Sequence, residues 1–279
     1  MRKTLFTLVI LFVSMAAHAQ KWYGKVGFGF AIPQAAQTLD VTGSIYSGNA
    51  TYNPANDSIA SFSIKKASFS SGFKGVIGAG YHVNNHFALE LYADLGISTT
   101  NYNAEQDNVK SPNGAYLAND KITQKSQFPI MLIPAMVFKT DKPKLNMYGR
   151  LGLVLPLKNQ VKVDLTSNII SATFDNEEIA GTLKTRFNIG FTGAGGVSYL
   201  VAKGVNMWAE VSFMSLSLFA KEMKITSHTS TQSQPISTLL PGTVISYGFS
   251  GQAGATQQPT FSLPYSNMGI NIGISFEIK

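Results

Sequence analysis

The chain contains no cysteine. That excludes a lipoprotein anchor, a disulfide scaffold and any thiolate metal site. Charge is scarce as well: Asp, Glu, Lys and Arg make up 13% of the residues, about half the share of an ordinary soluble protein. Long apolar runs are also missing. Beyond the N-terminus no stretch reaches the ~20 residues that a membrane-crossing helix needs. A chain poor in charge and without a spanning helix must hide its apolar surface by alternation. A closed β-barrel is the one non-helical structure that lipid tolerates, because closure pairs every backbone group.

The N-terminus reads as a secretory signal. Arg2 and Lys3 supply positive charge, Thr4 to Met15 is apolar, and Ala17-His18-Ala19 is an Ala-x-Ala cleavage site. This predicts a signal peptide over 1–19 and an outer-membrane barrel over 20–279. The formal net charge is +7, but Lys and Arg are scattered along the sequence, which gives no nucleic-acid footprint.

The closing strand shows the pattern best. Met268, Ile270, Ile272, Ile274, Phe276 and Ile278 form one face, and Asn267, Gly269, Asn271, Gly273, Ser275 and Glu277 the other. The polar face is mostly small, as in a barrel with lipid outside and a crowded polar lumen inside. Eight such segments recur, at 22–32, 71–83, 86–98, 126–139, 144–157, 184–201, 205–219 and 264–279. Three connections are short and carry Asn, Asp, Pro and Gly, the usual turn residues. The other four, 33–70, 99–125, 158–183 and 220–263, are long and polar. Short and long alternate strictly. The expected fold is all-β: an eight-stranded antiparallel up-and-down transmembrane barrel with three short periplasmic turns and four long external loops. An even strand count puts both termini in the periplasm. Pro129 and Pro134 each suggest a bulge, and a phase change after Phe213 suggests another.

Large aromatics fall near both ends of the strands. Trp22, Tyr81, Phe87, Phe138 and Tyr199 mark the turn side, and Phe30, Phe73, Phe128, Phe187 and Phe219 the loop side. Two such bands match the aromatic girdles of membrane barrels. The opposite parity should fill the lumen. Lys25, Glu90, Arg150 and Glu210 lie at similar heights on alternate strands, with Lys74 and Asp94 farther in. An eight-stranded barrel is only wide enough for its side chains, and an unpaired buried charge is costly. A central ion-pair network of Lys25, Arg150, Glu90 and Glu210, extended by Lys74 and Asp94, is therefore expected. It would act as a gate or plug against water, or simply satisfy a polar core.

Catalytic and metal signals are thin. His18 leaves with the signal, and His82 and His86 flank the Asn84-Asn85 turn. His228-Thr229-Ser230 resembles the His-x-Ser pair of outer-membrane lipid A deacylases, but Thr226 stands where that family carries an aromatic. No metal-ligand spacing is present. No catalytic residue, metal or cofactor is assigned, and the chain is read as a non-enzyme.

With a signal, eight amphipathic strands, long loops and a last strand ending Ile-Ser-Phe276-Glu-Ile-Lys279, the chain resembles the small outer-membrane β-barrel families. These are the OmpX- and OmpW-like proteins, the outer-membrane-protein β-barrel domain and its PorT-like relatives. The resemblance implies residence in the outer membrane of a Gram-negative bacterium. The expected partners are outer-membrane lipid and lipopolysaccharide, the barrel-insertion machinery, and a surface ligand held by the loops. The function expected is non-enzymatic binding or adhesion. The alternatives are a narrow porin-like channel for small or apolar solutes, a secretion-apparatus subunit and a lipid A-modifying enzyme.

Overall fold

The computed structural model describes residues 22–34, 48–53, 58–64, 68–97, 101–109, 117–170, 175–231, 240–250 and 257–278. The expected signal peptide lies outside them. The first strands are β1 (Trp22–Pro33), β2 (Gly48–Asn53), β3 (Ser58–Ile64), β4 (Gly72–His82), β5 (Phe87–Gly96), β6 (Asn101–Val109), β7 (Leu117–Lys139) and β8 (Leu145–Ile170). They are followed by β9 (Asp175–Thr185), β10 (Gly190–Ala202), β11 (Val205–Ser215), β12 (Ser217–Ser230), β13 (Val244–Gly248), β14 (Gln257–Pro259), β15 (Ser262–Pro264) and β16 (Asn267–Ile278).

Eight of these close a barrel. The antiparallel ring runs β1–β4–β5–β7–β8–β10–β11–β16 and returns to β1, where Trp22 stands opposite Ile278 and Ile32 opposite Met268. Period-two alternation explains it. Phe28, Phe30, Leu91, Met147, Leu151, Phe191, Val211 and Ile270 are exposed on the outside, while their neighbours point inward. The turns are made locally. Asn84 Oδ1 accepts from the His86 and Phe87 amides at 2.8 Å each, and Gly204 supplies the positive φ of 76° between β10 and β11, where a side chain would be strained.

The long connections depart from expectation, because all four of them carry strands. β8 has 26 residues, whereas a tilted crossing takes about ten. The upper parts of β7 and β8 leave the barrel and are flanked by β6, β2 and β3 on one side and by β9, β12, β13 and β14 on the other. A sheet therefore rises from one side of the barrel mouth. Its residues alternate between an inward apolar set (Ile122, Val161, Val163, Leu183, Ile225) and exposed Lys125, Lys162, Lys184 and Lys224. Ser, Thr and Lys on the wet face made these stretches read as loops.

Two of the expected segments are divided as a result. The segment expected as 184–201 is split: β9 ends at Thr185, residues 186–189 are outside any strand, and β10 begins at Gly190. The segment expected as 205–219 breaks at Leu216, between β11 and β12. The β10–β11 register runs unshifted from Phe191↔Ser215 through Leu200↔Asn206, so the bulge expected after Phe213 is instead a strand end. Of the two expected proline bulges only one is present. The β7–β8 register shifts on either side of Ile130, next to Pro129, whereas Leu132↔Leu155 and Ala135↔Gly152 keep one offset around Pro134. Phe128, before Pro129, has a φ of 41°, a left-handed conformation that bulges recruit. The shift moves the outward set of β8 from Leu151, Leu153 and Leu157 to Lys158 and Lys162.

Candidate functional site

The interior of the barrel has two layers. The lower one, toward the short turns, is charged. Lys25 on β1, Glu90 on β5, Arg150 on β8 and Glu210 on β11 are 4%, 8%, 3% and 3% exposed. Small residues opposite them make room in the narrow lumen: Gly78 and Ser275 beside Lys25, Gly80 and Ala135 beside Glu90, Ala194 beside Arg150, Gly196 beside Glu210.

The four charges meet. Arg150 donates from Nη1 to Glu90 Oε2 at 3.2 Å and from Nη2 to Glu210 Oε1 at 2.5 Å. Lys25 Nζ stands 3.7 Å from an oxygen of each glutamate. Two cations thus balance two anions, which desolvated charge demands. Aromatic and amide groups complete the layer. Tyr23 OH donates to Glu90 at 2.7 Å, Tyr148 OH to Glu210 at 2.8 Å, and Asn271 Nδ2 to Glu210 at 2.9 Å. The Arg150 guanidinium lies 4.2 Å from the Tyr92 ring centroid, and the Lys25 ammonium 4.2 Å from that of Trp208. Lys74 and Asp94 form their own bridge at 2.8 Å between β4 and β5. A cavity of about 250 Å³ lies between the turn-side rim at Lys139, Pro143 and Glu277 and the floor at Lys25, Glu90, Tyr148 and Trp208.

The upper layer is apolar, which corrects the expectation of a wholly polar lumen. Val76, Met131, Ile133, Val154, Met214 and Leu216 are buried in one cluster with Phe69 and Tyr265. β7 is the cause: its inward residues Met131, Ile133, Ala135 and Val137 are as apolar as its outward ones. Phe69 and Tyr265 come from connections rather than barrel strands, and their rings lie 5.7 Å apart. The two connections are tied to each other and to the barrel. Phe69 N donates to Pro264 O at 2.9 Å, Tyr265 N to Leu216 O at 3.0 Å, Asn267 Nδ2 to Ser70 Oγ at 2.6 Å, and Ser70 Oγ to Tyr265 O.

Several contributors went unnoticed in the sequence. Tyr23 shares the parity of Lys25, two residues on, and that was signal enough. Phe69 lies in a Ser-rich connection, where no periodicity marks a plug, and Tyr265 falls within the strand expected over 264–279, whereas β16 begins only at Asn267.

Six of the aromatics expected near the strand ends meet in pairs, whereas Phe187 lies between β9 and β10 and Phe219 is on β12, outside the barrel ring. Trp22 packs on Tyr81 with centroids 5.2 Å apart, Phe30 on Phe73 at 5.1 Å and Phe87 on Phe138 at 5.4 Å, each pair directly cross-strand. Phe187 and Tyr199 are exposed. His82 stacks on Tyr23 at 4.5 Å, and His86 Nδ1 is 3.2 Å from Lys139 O at the rim. His228 is on strand β12 rather than in a loop, with Nε2 2.7 Å from Glu177 Oε1 in a buried pair. Among the described residues no cluster of His, Cys, Asp and Glu has the make-up of a metal site.

Comparison with known families matches residues 5–232 to the outer membrane protein beta-barrel domain. No curated protein matches. Among solved structures, neisserial surface protein A aligns over 92% of this chain and 97% of its own, at 11% identity and a TM-score of 0.36. Ail, the attachment invasion locus protein of Yersinia pestis, aligns over 92% and 100%, at 8% identity and 0.29. CarO of Acinetobacter baumannii aligns over 91% and 97%, at 10% identity and 0.30. Scores this low carry no argument about the site.

Proposed function

Because the chain belongs to the family of outer membrane protein β-barrel domains, we propose that it is a plugged surface protein of the Gram-negative outer membrane. The barrel is the anchor, and the raised sheet with its connections is the working part. The observation that carries this reading is the double closure of the lumen. A narrow barrel leaves room only for side chains; here one layer is a buried charge network and the next is an apolar cluster under Phe69 and Tyr265. The second layer packs Val76, Met131, Ile133, Val154 and Met214 across the lumen. The role is non-enzymatic binding or adhesion at the cell surface, after delivery by the export and barrel-insertion machinery.

The short turns share one side of the barrel with Trp22 and Ile278, the first and last described residues, and the sheet built on β7 and β8 is on the other. A barrel threaded from the periplasm keeps its short turns there, so the sheet faces outward. The absence of cysteine makes the test clean. A single Thr226→Cys variant should react with a membrane-impermeant maleimide on intact cells, and planar bilayers holding the wild type should show no reproducible single-channel steps. Steps in the wild type, widened by Arg150→Ala, would favour the narrow channel instead. Labelling only after lysis would reverse the orientation.

A further inference from the structure

Lysines scattered through the sequence converge on one surface. Lys125 on β7 stands directly opposite Lys162 on β8; Lys162 is opposite Thr182 on β9, and Thr182 is opposite Lys224 on β12. All three lysines are exposed on the outer face of the raised sheet, because Gln124, Val161, Val163, Leu183 and Ile225 fill its inner face. Lys184 lies one row lower, opposite Gln160, Lys158 lies a further row down on β8, and Lys221 is exposed beside the bulge of β12. Six ammonium groups thus share a belt three residue rows high.

Carboxylates offset the belt only in part. Lys184 pairs with Glu222 at 2.9 Å, and the ammonium holds that carboxyl below its ordinary value. Lys162 reaches Asp164 at 3.3 Å. Lys125, Lys158 and Lys224 make no ion pair among the described residues. Like charges directly across a sheet destabilise it, so Lys125 against Lys162 is an arrangement that an anion between them would relieve.

The position of the belt names the anion. Along β7 and β8 and in the connection into β10 the exposed apolar band ends just below it at Phe128, Leu157 and Phe187, and Lys158 Nζ hangs 5.9 Å from the Phe128 ring centroid. The belt therefore begins where the acyl chains stop, at the depth of lipid headgroups. We infer that this lysine belt binds the phosphate groups of the phosphorylated glycolipid in the outer leaflet, fixing the raised sheet against the membrane surface. Ammonium groups serve phosphates as mobile point charges, and basic residues at a membrane surface add their attractions one by one. The inference rests on the orientation proposed above, which the Thr226 labelling tests separately.

The test uses detergent-solubilised full-length protein titrated with diphosphoryl lipid A, its dephosphorylated form and inorganic polyphosphate. The wild type should prefer diphosphoryl lipid A over both. The Lys125→Gln/Lys162→Gln/Lys224→Gln variant should lose affinity about fivefold per lysine, on the order of a hundredfold together, while keeping the gel migration of a folded barrel. Unchanged lipid A affinity in that variant overturns the inference. Polyphosphate binding as tight as lipid A overturns it too, because the belt would then be a site for soluble polyanions. Labelling of Thr226→Cys only after lysis, with lipid A binding intact, would locate the failure in the orientation and not in the belt.

Discussion

Arg150 and Glu90 meet at 3.2 Å across the lumen, from strands β8 and β5 that are separated by β7. The same guanidinium reaches Glu210, two strands away in the other direction. One side chain therefore ties three sectors of the barrel wall together at one height. Its role is structural first: it makes the two glutamates tolerable in a narrow lumen where both are buried.

Removing it should be costly. Arg150→Ala leaves Glu90 and Glu210 with Lys25 as their one cationic partner in the network. Breaking a buried pair from one side costs about 3–5 kcal/mol, to be read as a drop in the urea midpoint of the gel-shift transition. Arg150→Met combined with Glu90→Gln restores charge balance, with Lys25 facing Glu210, and should recover most of that loss. Equal midpoints for Arg150→Ala and the wild type would mean that the network does not support the barrel.

A second prediction concerns how Trp208 fits. A Cβ on Gly27 would stand 2.5 Å from Trp208 Cζ2, and one on Gly273 equally close. The indole occupies the space these glycines leave between β1 and β16. Gly27→Val should therefore destabilise the barrel by about 1–3 kcal/mol through overpacking. Adding Trp208→Ala should return part of it. Failure of the second change to help in a double-mutant cycle would place the damage in the backbone of β1 instead.

The two plug layers should be redundant. Phe69→Ala with Tyr265→Ala thins the apolar layer but leaves the ion pairs intact, so planar bilayers should stay silent. Adding Arg150→Ala removes the remaining barrier, and steps should appear. Conductance from the double variant alone would show that Phe69 and Tyr265 are the working seal.

The barrel was readable because lipid imposes a strict code: one face apolar, the other small or paired. Met268 through Ile278 obey it, and so do the four residues of the charge layer, whose shared height follows from counting along strands. The raised sheet obeys a weaker code. Lys125, Thr182 and Lys224 alternate with buried residues, as in any soluble strand, and in sequence such a segment passes for a polar loop. Register decided the rest. Lys125 and Lys162 are distant in the chain, and the Phe128–Pro129 bulge sets which face of β8 carries Lys162 above the lipid band. Phe69 carries no periodic mark, because a plug is made by where a connection folds back.

The last prediction separates the two outer surfaces. Ile272 on β16 and Thr182 on β9 both point away from the interior, but one faces lipid and the other lies in the lysine belt. Arginine in place of Ile272 puts a charge near mid-height of the apolar band, where it costs about 2–4 kcal/mol. Arginine in place of Thr182 meets water and headgroups, and such surface changes stay within about 0.5 kcal/mol. Refolding into phosphatidylcholine vesicles over a urea series reads both. If Ile272→Arg is tolerated as well as Thr182→Arg, that outward face does not contact acyl chains, and the boundary drawn at Phe128, Leu157 and Phe187 is misplaced.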